Sequence, residues 1–62
     1  MTQRNWIAFV VTGVTTNGKR FRQKYPYDES GLFMTRGINL WRGSKWREDS
    51  DGKRELLARV WN

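Results

Sequence analysis

Cysteine and histidine are both missing from the 62 residues. Their absence removes disulfides and nearly every zinc site, the staples on which small domains commonly rely. It also removes the commonest general base and the strongest side-chain nucleophile, so the chain is expected not to be an enzyme and to carry no metal or cofactor. Long apolar runs are lacking too. The longest, Trp6 to Val11, falls far short of the roughly 20 residues that a membrane-spanning helix needs. Met1-Thr2-Gln3-Arg4-Asn5 leads into no secretory leader pattern, so a soluble, cytoplasmic protein is expected. Acids are scarce: six Asp and Glu stand against twelve Lys and Arg, a formal net charge of +6.

What is abundant is aromatic surface, with four Trp, two Tyr and three Phe. A chain this short forms one domain, residues 1–62, and buries only about 60% of the surface that its unfolded form exposes. Large rings must then supply much of the burial.

The β-forming run Trp6-Ile7-Ala8-Phe9-Val10-Val11 continues to Thr16 and meets Asn17-Gly18, the strongest short-range hairpin signal. The return strand runs from Lys19 to Tyr25 and stops at Pro26, which has no amide to give a ladder. A two-residue turn at Asn17-Gly18 predicts that Thr16 faces Lys19, Val14 faces Phe21, Thr12 faces Gln23 and Val10 faces Tyr25. Alternation then puts Trp6, Ala8, Val10, Val14, Phe21 and Tyr25 on a core face. Ile7, Phe9 and Val11 share the other face with Arg20, Arg22 and Lys24.

Asp28-Glu29-Ser30 reads as a helix start, with acids at the positive end of the dipole. A helix over about residues 29–42 is expected, ending at Arg42-Gly43. Gly31 and Gly37 each weaken it by roughly 1 kcal/mol; the alternative ends it at Gly37 and makes Ile38 to Trp41 a strand. Ser50-Asp51-Gly52 signals a second hairpin, with Gly52 as the left-handed residue of a three-residue loop. That register sets Glu48 against Arg54, Arg47 against Glu55 and Trp46 against Leu56, and avoids opposing Glu48 to Glu55. Ala58 and Val60 would join Trp46 on the core face, with Lys45, Arg47, Arg59 and Trp61 opposite. A helix over Lys53 to Trp61 is the competing reading, since Leu56, Leu57, Val60 and Trp61 also suit a helical stripe. The predicted fold is α+β: a small antiparallel sheet from two β-hairpins, β-β-α-β-β, with one helix packed on one face.

Two apparent motifs dissolve on inspection. Gly13 to Lys19 fits the opening of a phosphate-binding loop, but Arg20 stands where a hydroxyl must hold magnesium, and the necessary α/β sheet has no room. Asp49-Ser50-Asp51-Gly52 resembles part of a calcium loop, but Ala58 takes the place of the bidentate glutamate.

The basic residues are better placed for function. Lys19, Arg20, Arg22 and Lys24 cluster on one strand, and no acid occurs from Ser30 to Arg47. Trp41 adjoins Arg42, and Trp46 lies between Lys45 and Arg47. Spaced cations suit phosphates and aromatic rings suit bases. Arginine outnumbers lysine eight to four, and its planar fork grips phosphate or guanine edges in pairs. Trp6 and Trp46 are assigned to the core. The expected nucleic-acid-binding residues are Lys19, Arg20, Arg22, Lys24, Lys45, Arg47, Arg59 and Trp61.

In economy the chain resembles the small accessory proteins encoded by tailed phages: Met1 almost directly precedes the first strand, and Arg59-Val60-Trp61-Asn62 closes the last. That resemblance implies binding to DNA or RNA, or inhibition of a host enzyme or defence protein. The leading expectation is nucleic-acid binding, DNA ahead of RNA, through the basic sheet face. The alternative is a protein-binding inhibitor or adaptor, for which the apolar strip Ile7, Phe9 and Val11 is suited. A homodimer burying that strip is a third expectation.

Overall fold

In the computed structural model, which describes residues 5–61 and, of Val60 and Trp61, the backbone alone, the chain order is hairpin, helix, hairpin. The elements are β1 (Trp6–Thr15), β2 (Arg20–Pro26), α1 (Glu29–Arg36), β3 (Leu40–Asp49) and β4 (Arg54–Trp61). They form one antiparallel four-stranded sheet in the order β2-β1-β3-β4. This is the expected α+β arrangement, and residues 54–61 are strand rather than helix. Among the described residues no helix is long and apolar enough to cross a membrane.

The β3–β4 hairpin has the expected register: Trp46 opposes Leu56, Arg47 opposes Glu55 and Glu48 opposes Arg54. Gly52 takes the left-handed conformation, with φ of 81°. The Asp49 amide donates to the Lys53 carbonyl at 2.9 Å, and Asp49 Oδ1 accepts from the Lys53 amide at 2.9 Å.

The β1–β2 hairpin corrects the sequence expectation by one residue. Val14 opposes Arg20, Thr12 opposes Arg22, Val10 opposes Lys24 and Phe9 opposes Tyr25. A two-residue turn needs positive φ at both Asn17 and Gly18, and only Gly18 adopts it, at 87°. The loop instead uses Thr16, Asn17 and Gly18, and Thr15 takes the part that Asp49 plays in the other hairpin. Its amide donates to the Lys19 carbonyl at 2.8 Å, and its Oγ1 accepts from the Lys19 amide at 3.1 Å.

A one-residue slip turns every β2 side chain to the opposite face. Phe21, Gln23 and Tyr25 therefore join Gly13, Val11 and Phe9, whereas Arg20, Arg22 and Lys24 join Val14, Thr12 and Val10. The first of these faces carries the helix. Phe9 stacks on Tyr27, with ring centroids 4.7 Å apart, and α1 packs against β2 and β1. Phe9 (7% exposed), Val11 (3%) and Leu40 (1%) are buried there, and Val10 (0%) is buried on the other face between Lys24 and Trp46. The strip Ile7, Phe9, Val11 is thus no surface for self-association or a partner: two of its members are core, and Ile7 stands apart at a bulge.

The helix stops at Arg36, with Gly37 as its cap, and not at Arg42. Leu40 and Arg42 pair with Thr15 and Val14 instead, so sheet pairing claims the segment that apolar spacing assigned to the helix. Asp28 caps the first turn by accepting from the Gly31 amide at 2.8 Å. Gly31 is needed for contact: a Cβ there would run into the Pro26 carbonyl, so the helix rests directly on the end of β2.

Three register shifts interrupt the ladders, leaving Ile7, Trp41 and Leu57 as the additional residues. All three are large apolar side chains and well exposed, at 50%, 52% and 41%. The shift at Leu57 puts Ala58 opposite Lys45 on the helix-bearing face, away from Trp46. The shift at Ile7 brings Trp6 to that same face, where the Arg47 guanidinium lies 4.0 Å from its ring centroid.

Candidate nucleic-acid interface

The helix-free face is organised in cross-strand rows that follow from the registers. Pro26, Ala8, Glu48 and Arg54 form the first row. Lys24, Val10, Trp46 and Leu56 form the next, then Arg22, Thr12, Ser44 and Arg59, and finally Arg20, Val14 and Arg42. Strands are about 5 Å apart and rows about 7 Å apart. On that spacing the Cα atoms of Arg20 and Arg42 stand about 10 Å apart, and those of Arg22 and Arg59 about 14 Å.

The two ends of the face differ electrically. At the first row, Glu48 is 7% exposed and holds Lys24 Nζ at 2.8 Å and Arg54 Nε at 3.0 Å. Lys24 reaches it across β1, where the neighbouring residue is only Ala8. Hydrogen bonding to Lys24, then to Arg54, keeps the Glu48 carboxyl below its ordinary range. Toward the other end no carboxylate side chain accompanies Arg20, Arg22, Arg42 or Arg59, and among the described residues none of the four forms an ion pair. All six acidic side chains, Asp28, Glu29, Glu48, Asp49, Asp51 and Glu55, lie in or beside the opposite half. The domain is therefore charge-segregated along its strands.

Bordered by Arg42 and Arg59 lies an open groove of about 880 Å³. Thr12, Gly13, Gly43 and Ser44 make its floor, and Trp41, Trp46, Leu56, Arg42 and Arg59 surround it. Gly13 opposes Gly43 across β1 and β3, and a Cβ on either would meet the other strand's backbone. The floor is low because the side chains it carries on this face, Thr12 and Ser44, are short, with the close-packed Gly13 and Gly43 backbones beside them. Trp46 Nε1 donates to Thr12 Oγ1 at 3.3 Å, which leans the indole over the neighbouring strand. Trp41 is the additional residue of its bulge, a feature that commonly re-aims a side chain, and the Arg42 guanidinium carbon lies 5.9 Å from its ring centroid.

The sequence-predicted residues divide accordingly. Arg20, Arg22, Lys24 and Arg59 share the open face, and Lys19 is exposed at the rim in the β1–β2 turn. Lys45 and Arg47 do not join them, because they oppose Val11 and Phe9 on the helix side. Arg47 is consumed there by Glu55, at 2.6 Å, and by Trp6. The side chain of Trp61 lies outside the described residues. Trp46, assigned to the core, is on the open face and only partly buried. Arg42 and Trp41 were missed as site residues, although their adjacency and the acid-free stretch around them were visible in the sequence. No protein family, curated protein or solved structure matches this chain.

Proposed function

We propose that the chain is a non-enzymatic nucleic-acid-binding protein of the cytoplasm that lays the helix-free face of its sheet against the polymer. The observation that carries this reading is the set of four arginines, Arg20, Arg22, Arg42 and Arg59, that form no ion pair among the described residues and share the acid-free half of that face, where Arg42 and Arg59 flank an aromatic-walled groove. Guanidiniums not engaged by a carboxylate are available to phosphate, and counterions are released when the two meet. The carboxylates have structural tasks instead: Asp28 caps the helix, Asp49 closes a turn, and Glu48 and Glu55 hold arginines. The inhibitor reading loses the strip on which it rested. What favours it now is Phe33 and Met34, 76% and 52% exposed on the helix, on the opposite side of the domain.

The test compares two triple variants with the same change in net charge, Arg20/Arg22/Arg59→Gln and Arg36/Lys45/Lys53→Gln. Binding to a labelled oligonucleotide is followed by anisotropy across a salt series. Loss of three phosphate contacts should flatten the log–log salt slope by about 2 units on a single strand or about 3 on a duplex. The control triple should leave most of the slope in place. Equal slopes for the two triples, or no binding by wild type at low salt, overturns the proposal.

A further inference from the structure

We propose that this face takes its polymer as a single strand, with unpaired bases stacked on Trp41 and Trp46 and the phosphates held by the flanking arginines. The inference rests on the nucleic-acid reading and deepens it. Width argues first. Four strands span about 14 Å from edge axis to edge axis before side chains are added, whereas the major groove of a duplex is about 12 Å wide and admits a helix or a two-stranded ribbon. This sheet does not fit inside it.

Shape argues next. The face is hollow where a groove-reading element must protrude, because the side chains on its floor are the short ones of Thr12 and Ser44, between Trp41, Trp46 and Leu56. A hollow between rings receives something flat that can be splayed out, as an unpaired base can be. Trp41 is 52% exposed, and the Arg42 guanidinium beside its ring places a phosphate ligand next to a stacking platform. Trp46 is held in place by Thr12, so little side-chain freedom remains to be lost on stacking. The two tryptophans are five positions apart on β3, about 17 Å of strand. That length leaves room for successive bases of one strand to stack on the two rings.

The experiment titrates wild-type protein with oligothymidylate, oligouridylate and a duplex of equal length, reading anisotropy and tryptophan emission at matched salt. Both single strands should bind more tightly than the duplex and quench the emission, and a difference between them reports the 2′-hydroxyl. Trp41→Ala should weaken single-strand binding by about 5- to 150-fold, the range of base–aromatic stacking, while the salt slope holds because no phosphate contact is lost. Trp46→Phe should weaken it less, with the thermal midpoint confirming that both variants fold. If the duplex binds at least as well as the strands, or if Trp41→Ala leaves affinity unchanged while Arg20/Arg22/Arg59→Gln reduces it, the single-strand inference fails and the nucleic-acid reading stands. Absence of binding to all three probes overturns both.

Discussion

Replacing Phe9 distinguishes a core residue from a docking residue. Phe9 is 7% exposed, lies between Tyr25 and Arg47 in the sheet, and stacks on Tyr27 at 4.7 Å. Deleting a buried phenylalanine to alanine costs about 3–5 kcal/mol. The lost ring pair is included in that range and is itself worth about 0.5–1.5 kcal/mol. The whole stability of a 62-residue domain is about 3–9 kcal/mol at the usual 0.05–0.15 kcal/mol per residue. A domain this size loses about 4–8 °C of thermal midpoint per kcal/mol, so Phe9→Ala should lower the midpoint by at least about 12 °C. Phe9→Lys buries an unpaired charge besides and should abolish the folded state. Were Phe9 on an outer face, Phe9→Lys would change stability by only about 0.5 kcal/mol and alter self-association instead. Circular dichroism melts and sedimentation on the same samples decide the matter. A folded Phe9→Lys chain melting within about 4 °C of wild type, a shift worth no more than about 1 kcal/mol, refutes the placement of the helix over this strip.

The Glu48 carboxyl, held below its ordinary range by Lys24 and Arg54, should contribute stability that is fully present above the unfolded carboxyl pKa of about 4.3 and fades as pH falls through the lower folded value. Melts between about pH 6 and pH 2 should therefore show an acid limb that Glu48→Gln flattens; an unchanged limb refutes the assignment. Gly31→Ala should destabilise by about 1–3 kcal/mol through overpacking on the Pro26 carbonyl, although alanine is the better helix former. A rise in midpoint would show that the helix does not rest on β2.

Where local chemistry and sheet pairing agree, the fold was legible in the residues. The β3–β4 register followed from opposing Glu48 to Arg54 and Arg47 to Glu55, and the helix start followed from Asp28. The β1–β2 register was not legible from Asn17-Gly18, because that pair fits both a two-residue and a three-residue loop. The choice rests on the Thr15 hydroxyl meeting the Lys19 amide, a contact made only once the strands meet. Period-2 counting also fails past each bulge, so Trp6 left the face of Ala8 and Val10, and Ala58 and Arg59 exchanged sides together relative to Trp46. The basic stripe on β2 was visible, but its neighbours were not. The slip exchanged Phe9 and Val11 for Thr12 and Val14, and with them the expected partner surface for a groove.

The shared loop design of the two hairpins has a kinetic consequence. Each hairpin closes over three residues and is sealed by its own side-chain oxygen, Thr15 or Asp49, so both are local structures of the kind that form in about 1–10 μs. The seam between β1 and β3, in contrast, joins residues as remote as Val10 and Trp46 and must wait for the helix segment to be folded back. Long-range pairing of this kind bears the loop-closure entropy and sets the pace. The domain is thus two quickly formed halves whose meeting is the slow event, and it is this meeting that joins Arg20 and Arg22 to Arg42 and Arg59 on one surface.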